Sequence, residues 1–214
     1  MRLRMSTATL SAMNGGVDLY WLPLGAGGHS VRFNGRAYEA LVATVEQRRR
    51  CDLYHSALEV RIPEGRFVIE MTPVVGGGDH SHGAVAEGAV GSRLLGWMSL
   101  FRYELRCWRD GQIPDAAEAV ESPRLLSDDP ALAQRILDLV PLVPTPTWGR
   151  DELRTGEMWN SNSLISWLLV SAGFAVEQLL LPGGGRAPGW DAGIAVARRA
   201  LAPPAFAPDA VLQP

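Results

Sequence analysis

Strand-like patterns dominate the first half of this chain, and most of its helical patterns lie after residue 110. Residues 17–22 are short, β-branched and aromatic, residues 85–90 form a further short strand pattern, and residues 100–108 alternate between apolar and polar types. One helical pattern, at residues 38–49, precedes the change. Strands followed by helices favour an α+β fold, with an antiparallel sheet packed against helices, over alternating βαβ units.

The clearest pair of strands flanks the turn residues Pro63-Glu64-Gly65. Residues 54–62 and 66–71 alternate imperfectly, which is typical of half-buried strands joined by a three-residue turn. In the simplest register, paired positions sum to 128, so that Leu58 lies opposite Glu70.

Three helices are predicted in the second half of the chain. Ser127-Asp128-Asp129-Pro130 is typical of a helix start with proline in the first turn, and this helix runs to about Val140. Residues 160–172 have one apolar face, and Gly173 is placed to end that helix. Residues 191–200 predict the last helix.

Length and composition indicate one globular domain. We expect a single α+β domain at residues 17–202, between a disordered start at residues 1–16 and a disordered Pro-rich tail at residues 203–214. A net charge of −3 argues against nucleic acid as a partner, and no stretch approaches the ~20 apolar residues of a membrane span. Two cysteines and no secretory signal favour a reduced, cytoplasmic protein, although one bridge between Cys51 and Cys107 stays open.

One constellation of residues has the chemical types that a reaction needs. His55 opens one hairpin strand and Glu70 lies late in the other, so that a bulge or a diagonal contact would bring their side chains together. Ser161 lies in the first turn of the helix at residues 160–172. Unpaired N–H groups and the positive end of the helix dipole suit a nucleophile and an oxyanion there.

Two motifs at these residues resemble the circularly permuted papain-like superfamily of NlpC/P60 and lecithin-retinol-acyltransferase-like proteins. NSNSLISW, from Asn160 to Trp167, resembles its nucleophile helix, and HSALEVRIPEGRFVIEM, from His55 to Met71, resembles its histidine-bearing strand pair. The histidine precedes the nucleophile position, which is the permuted order. The resemblance implies a hydrolase or acyltransferase acting on an amide, ester or thioester of a small molecule or peptide, and no cofactor or metal is predicted.

The resemblance also implies a role for each residue. Ser161 would attack the carbonyl carbon, His55 would take the proton and return it to the leaving group, and Glu70 would fix the imidazole tautomer. The N–H of Ser161 or of the next residue would hold the oxyanion. The neighbouring candidates are Asn160 and Asn162 at the oxyanion position, and Trp159 and Tyr54 in the pocket wall.

Serine at position 161 departs from the family, which has cysteine there. A hydroxyl is a far weaker acid than a thiol, so Ser161 would need His55 as a working base, oriented by Glu70. Three explanations stay open: a serine enzyme, an inactive relative that binds a ligand, and an engineered replacement of cysteine. A structural or interaction protein, whose helix at residues 160–172 is only core, is a further alternative.

Several of these residues also have a purely structural interpretation. Ser161 suits a helix N-cap, although Asn160 is an equally good cap and would leave Ser161 free. His29 is the second candidate for the base, and Asp79-His80-Ser81-His82 is a less favoured metal-binding candidate in a Gly-rich loop. The run at residues 25–28 lacks the last glycine of a dinucleotide-binding fingerprint.

Overall fold

The computed structural model describes residues 15–24, 51–73, 83–91 and 102–202. These parts of the chain contain six β-strands, three α-helices and four short 3₁₀ turns. The strands are β1 Gly16–Pro23, β2 Tyr54–Ile62, β3 Gly65–Pro73, β4 Ala84–Ala89, β5 Arg102–Arg109 and β6 Arg124–Ser127, and the helices are α1 Pro130–Leu139, α2 Ser161–Ala172 and α3 Trp190–Leu201.

All six strands belong to one sheet. Their order is β4-β5-β3-β2-β1-β6, and every neighbouring pair is antiparallel. The prediction of an α+β fold with an antiparallel sheet is therefore confirmed. The strands predicted at residues 17–22 and 85–90 are present as β1 and β4, whereas β6 has no predicted counterpart.

The β2–β3 hairpin differs by one residue from the predicted register. Ile62 pairs with Gly65, so the turn contains two residues, and Leu58 pairs with Ile69 instead of Glu70. Because side chains alternate between the two faces of a strand, this single step moves Glu70 to the face opposite Leu58.

The two faces of the sheet have different environments. Leu19, Leu58, Ile69 and Leu105 project from one face into the main core, which also contains α2. All twelve residues of α2 are buried, so this helix lies at the centre of the helical layer. A smaller apolar cluster lies on the other face of the sheet, where Leu22, Ala57 and Val68 pack with Ile113.

The predicted ends of α1 and α2 are confirmed. Asp129 is the N-cap of α1, and its carboxylate accepts a hydrogen bond from the backbone N–H of Ala131. Gly173 ends α2 in the left-handed conformation, with φ of 100°. A residue with a Cβ atom rarely adopts this conformation, so a glycine marks this end well.

Several sequence predictions lie outside the described residues. These are residues 1–14 of the predicted disordered start, the helix at residues 38–49, the disordered tail at residues 203–214, His29, the run at residues 25–28 and the sequence Asp79-His80-Ser81-His82. The boundary of the disordered start is wrong by one residue, since Gly16 already belongs to β1. Within the described residues, neither Cys51 nor Cys107 forms a disulfide. None of the helices in this part of the chain has the length and apolar composition needed to span a bilayer.

Candidate functional site

The start of α2 is closed by a capping box. The Asn160 side chain accepts hydrogen bonds from the N–H groups of Asn162 and Ser163, and the Ser163 hydroxyl accepts one from the Asn160 N–H. Asn160 is therefore the N-cap. Ser161, the first residue of the helix, does not cap it.

Asn162 connects the helix start to strand β2. Its amide nitrogen donates to the carbonyl oxygens of Tyr54 and Pro188, and its amide oxygen accepts a 2.9 Å hydrogen bond from the Ser56 hydroxyl. Asn162 is 2% exposed, so both ends of its amide must find partners inside the protein. Its side chain is fully used in fixing α2 on the sheet.

The same end of α2 is also tied to the segment that leads into α3. Three consecutive carbonyl groups of this segment, at Pro188, Gly189 and Trp190, accept hydrogen bonds from side chains of α2 and its cap. The donors are the amides of Asn160 and Asn162 and the hydroxyls of Ser163 and Ser166. The helix start is thus held on two sides by buried polar contacts.

Replacing Asn160 tests the cap. We expect Asn160→Ala to lower the free energy of unfolding by about 2 kcal/mol, since it removes the cap and the bond to the Pro188 carbonyl. Asn160→Ser retains a capping oxygen and should lose about half as much. Urea denaturation of both variants measures the difference, and equal losses would show that capping contributes little.

Ser161 is the exception at this helix start. Its side chain is only 5% exposed. Its hydroxyl has no hydrogen-bond partner among the residues that the structure describes. Its N–H group, as the first of the helix, has no acceptor within the helix. The residue therefore presents two donors at the positive end of a twelve-residue helix.

His55 lies on the other side of strand β2. Ser56 faces α2, because its hydroxyl bonds Asn162, and successive strand residues point to opposite faces. His55 pairs with Leu22 of β1, which belongs to the smaller core on the far face. Burial lowers the pKa of His55 to about 4, although the nearby Asp115 carboxylate favours the charged form. The imidazole is therefore neutral at neutral pH.

Glu70 shares the far face with His55 but has different partners. Its carboxylate lies 4.0 Å from the Arg106 guanidinium, which also pairs with Glu104. Burial raises the pKa of Glu70 to about 7, against the Arg106 charge and with the help of the Glu104 charge. Glu70 thus belongs to a charged group on β3 and β5.

The predicted triad is not brought together. No hydrogen bond joins any two of His55, Glu70 and Ser161, all of which lie in the described part of the chain. The physical reason is the strand alternation, which turns Ser56 instead of His55 toward the helix start. The carboxylate whose charge acts on His55 is that of Asp115, not that of Glu70.

The two predicted pocket residues have separate positions. Trp159 is 2% exposed and directly precedes the cap, and its indole N–H has no hydrogen-bond partner in the described part of the chain. Tyr54 is 4% exposed and supplies the carbonyl oxygen that binds Asn162. The sequence interpretation missed Ser56. Its only signal was its place next to His55, with the opposite orientation that a strand imposes.

Comparison of the chain with protein-family models, with curated proteins and with solved structures gave no match.

Proposed function

We propose that this protein is a non-catalytic binding module of the permuted papain-like type, with its ligand site at the start of α2. The observation that carries the proposal is the pair of donors on Ser161 without partners among the described residues, at a helix start where the side chains of Asn160, Asn162 and Ser163 are already bonded. A ligand with an acyl oxygen would satisfy both donors, since such an oxygen accepts hydrogen bonds. The bound group would be the acyl oxygen of a small molecule or peptide.

Binding is favoured over catalysis because no base for Ser161 is found among the residues that the structure describes. A serine hydroxyl attacks a carbonyl carbon only when a neighbouring group removes its proton. His55 projects from the opposite face of β2, and Glu70 is engaged with Arg106. The helix dipole stabilises bound negative charge but does not by itself ionise a hydroxyl. The site therefore supports holding an acyl oxygen, without transfer of the acyl group.

A serine-directed fluorophosphonate separates the two functions. We expect no covalent adduct at Ser161 after prolonged incubation, measured by mass spectrometry of the intact protein and its peptides. An adduct at Ser161 that disappears in Ser161→Ala would show an activated nucleophile, and the protein would then be an enzyme.

Binding itself is measured by nuclear magnetic resonance on the full chain. We expect the Ser161 amide signal to shift on titration with acetate or N,N-dimethylacetamide, and Ser161→Ala to weaken this binding about tenfold, equivalent to one lost hydrogen bond of ~1.4 kcal/mol. Ser171→Ala is the matched control, because Ser171 is a 9% exposed serine at the other end of the same helix. No shift with either probe, or equal weakening by both variants, would contradict the proposal.

A further inference from the structure

A groove lies between α3 and the 3₁₀ turn Val176–Gln178. Its cavity volume is about 400 Å³, which is within the usual range for sites that bind small molecules. The apolar residues that line it are Val176, Leu179, Trp190, Ile194 and Ala195. Ser161 does not line it, so this groove is separate from the proposed site at the start of α2.

Trp190 gives the groove an aromatic wall. Its ring packs against the buried Trp21, with 5.0 Å between the two ring centroids, and its carbonyl oxygen accepts a hydrogen bond from the Ser166 hydroxyl. Trp190 is half-buried, and it lines the groove. An organic cation is attracted electrostatically to the face of an indole ring. Because these contacts hold Trp190 in place, the groove offers a preformed surface to such a cation.

Three exposed charged residues border the groove, and only one of them lacks a partner. Arg198 forms an ion pair with Glu177, so these two charges compensate each other. The Asp191 carboxylate has no ion pair and accepts no hydrogen bond from the residues that the structure describes. The lining of the groove therefore carries one uncompensated charge, and that charge is negative.

The uncompensated carboxylate and the ion pair lie at opposite ends of α3. Asp191 is in the first turn of this helix and Arg198 is in its last turn, so roughly 10 Å of helix axis separates them. Ile194 and Ala195 lie between them and line the groove. A ligand with its positive charge at Asp191 can therefore extend an apolar chain along the groove without placing that charge beside Arg198.

The charge of Asp191 also acts on the neighbouring Glu157 carboxyl group. Burial, and then the Asp191 charge, raise the pKa of Glu157, whereas the Arg186 charge is the smallest influence and acts in the opposite direction. A cation bound at Asp191 would reduce the repulsion between the two carboxyl groups, and an anion would increase it. The positive end of the α3 dipole partly offsets the charge of Asp191, so the preference for a cation is modest.

We infer that this groove binds an organic ammonium ion with an apolar chain, with the positive charge beside the Asp191 carboxylate and the Trp190 ring and the chain along Ile194 and Val176. The inference goes beyond the proposed function, because it assigns a second site to a ligand of a different chemical class. Asp191 selects a cation over a neutral or anionic compound, and the apolar lining binds the chain.

Three compounds with the same six-carbon chain test the preference for positive charge: hexylammonium, 1-hexanol and hexanoate. Each is titrated into the full chain at low ionic strength, where exposed charges are little screened, and the indole signal of Trp190 and the methyl signals of Ile194 give the affinity. We expect hexylammonium to bind about fivefold more tightly than 1-hexanol, and hexanoate to bind more weakly than either. If hexylammonium leaves the Trp190 and Ile194 signals unchanged, the inference is wrong.

Variants of the groove identify the groups that bind. Asp191→Asn should lower the hexylammonium affinity to that of 1-hexanol and leave the 1-hexanol affinity unchanged. Asp138→Asn removes an exposed carboxylate of α1 outside the groove, so this matched control should change neither affinity. Ala195→Phe fills the groove and should abolish the binding of both compounds.

Two results would overturn the inference. The first is equal affinity for 1-hexanol and hexylammonium, which would show that the groove binds only the apolar chain. The second is an Asp191→Asn protein that binds hexylammonium as tightly as the unmodified protein does. If Ala195→Phe does not fold, the three compounds on the unmodified protein and Asp191→Asn decide the question.

Discussion

Gly193→Ala should lower the free energy of unfolding by about 3 kcal/mol, although alanine is the better helix former. Gly193 lies in α3, where an added Cβ atom would collide with the backbone oxygen of Ser163 and the hydroxyl of Ser166. Helix propensity alone would stabilise the alanine variant by about 1 kcal/mol. Overpacking against a backbone oxygen costs more, since α2 and α3 must separate and strain their polar contacts.

Thermal unfolding measures this effect directly. For a chain of this size, a loss of about 3 kcal/mol lowers the midpoint by roughly 6–12 °C. Ala200→Gly, an exposed change in the same helix, is the matched control and should cost only the intrinsic ~1 kcal/mol. A Gly193→Ala protein as stable as the unmodified one would show that the two helices do not require this close approach.

Glu70→Gln should stabilise the protein at alkaline pH and leave it unchanged at acid pH. The pKa of Glu70 is raised from 4.5 to about 7 by burial. A raised carboxyl pKa favours folding below pH ~4.5, and that contribution is lost as the pH rises through ~7. Glutamine resembles the protonated acid, so the variant avoids the cost of ionisation, which is at most about 3 kcal/mol above pH ~7.

His55 changes the free energy of unfolding with pH in the direction opposite to Glu70, over an overlapping pH range. Its pKa is lowered from 6.5 to about 4, so its contribution to stability is present above pH ~6.5 and is lost as the pH falls toward ~4. The slopes of Glu70 and His55 therefore partly cancel in the unmodified protein. Without the Glu70 carboxyl, the pH dependence that His55 gives to the free energy of unfolding is no longer cancelled. The Glu70→Gln variant therefore gains stability as the pH rises from ~4 to ~6.5.

Urea denaturation between pH 4 and pH 8 checks both statements. The measured quantity is the difference in free energy of unfolding between Glu70→Gln and the unmodified protein, which should grow with pH. Glu64→Gln, in the exposed turn of the hairpin, controls for the loss of one negative charge. A difference that stays constant across this range would show that Glu70 is ionised as readily in the folded protein as in the unfolded one.

The sequence correctly predicted helix ends, because these depend on residues that are close together in the chain. Asp129 before Pro130 and Gly173 after α2 each act within one turn of their helix, and the structure has both ends where the sequence placed them. Strand β6 has only four residues, Arg124–Ser127, and pairs with β1 far away in the sequence. Such a short strand carries too little alternation to be recognised from sequence.

The candidate site was only partly predictable from the sequence, because it depends on which face of the sheet each strand side chain points to. The sequence correctly placed Ser161 in a first helical turn with Asn160 available as its cap. A hairpin turn of two or three residues decides which side chains share a face, and Pro63-Glu64-Gly65 is compatible with either length. The contacts of Asn162 with Pro188 span 26 residues, and no local pattern indicates them.

The segment that enters α3 is bound to the start of α2 through its backbone. Its acceptors in these hydrogen bonds are the carbonyl oxygens of Pro188, Gly189 and Trp190. All the side-chain donors belong to α2 and its cap. These hydrogen bonds consequently depend on the path of the main chain and not on the side chains of the segment. Gly189, with φ of 85°, sets that path, and a side chain in its place would also strike Asn160. The hydrogen bonds of this segment therefore depend on the directions of its peptide groups, whereas the Trp190 ring adds a separate constraint through its packing on Trp21.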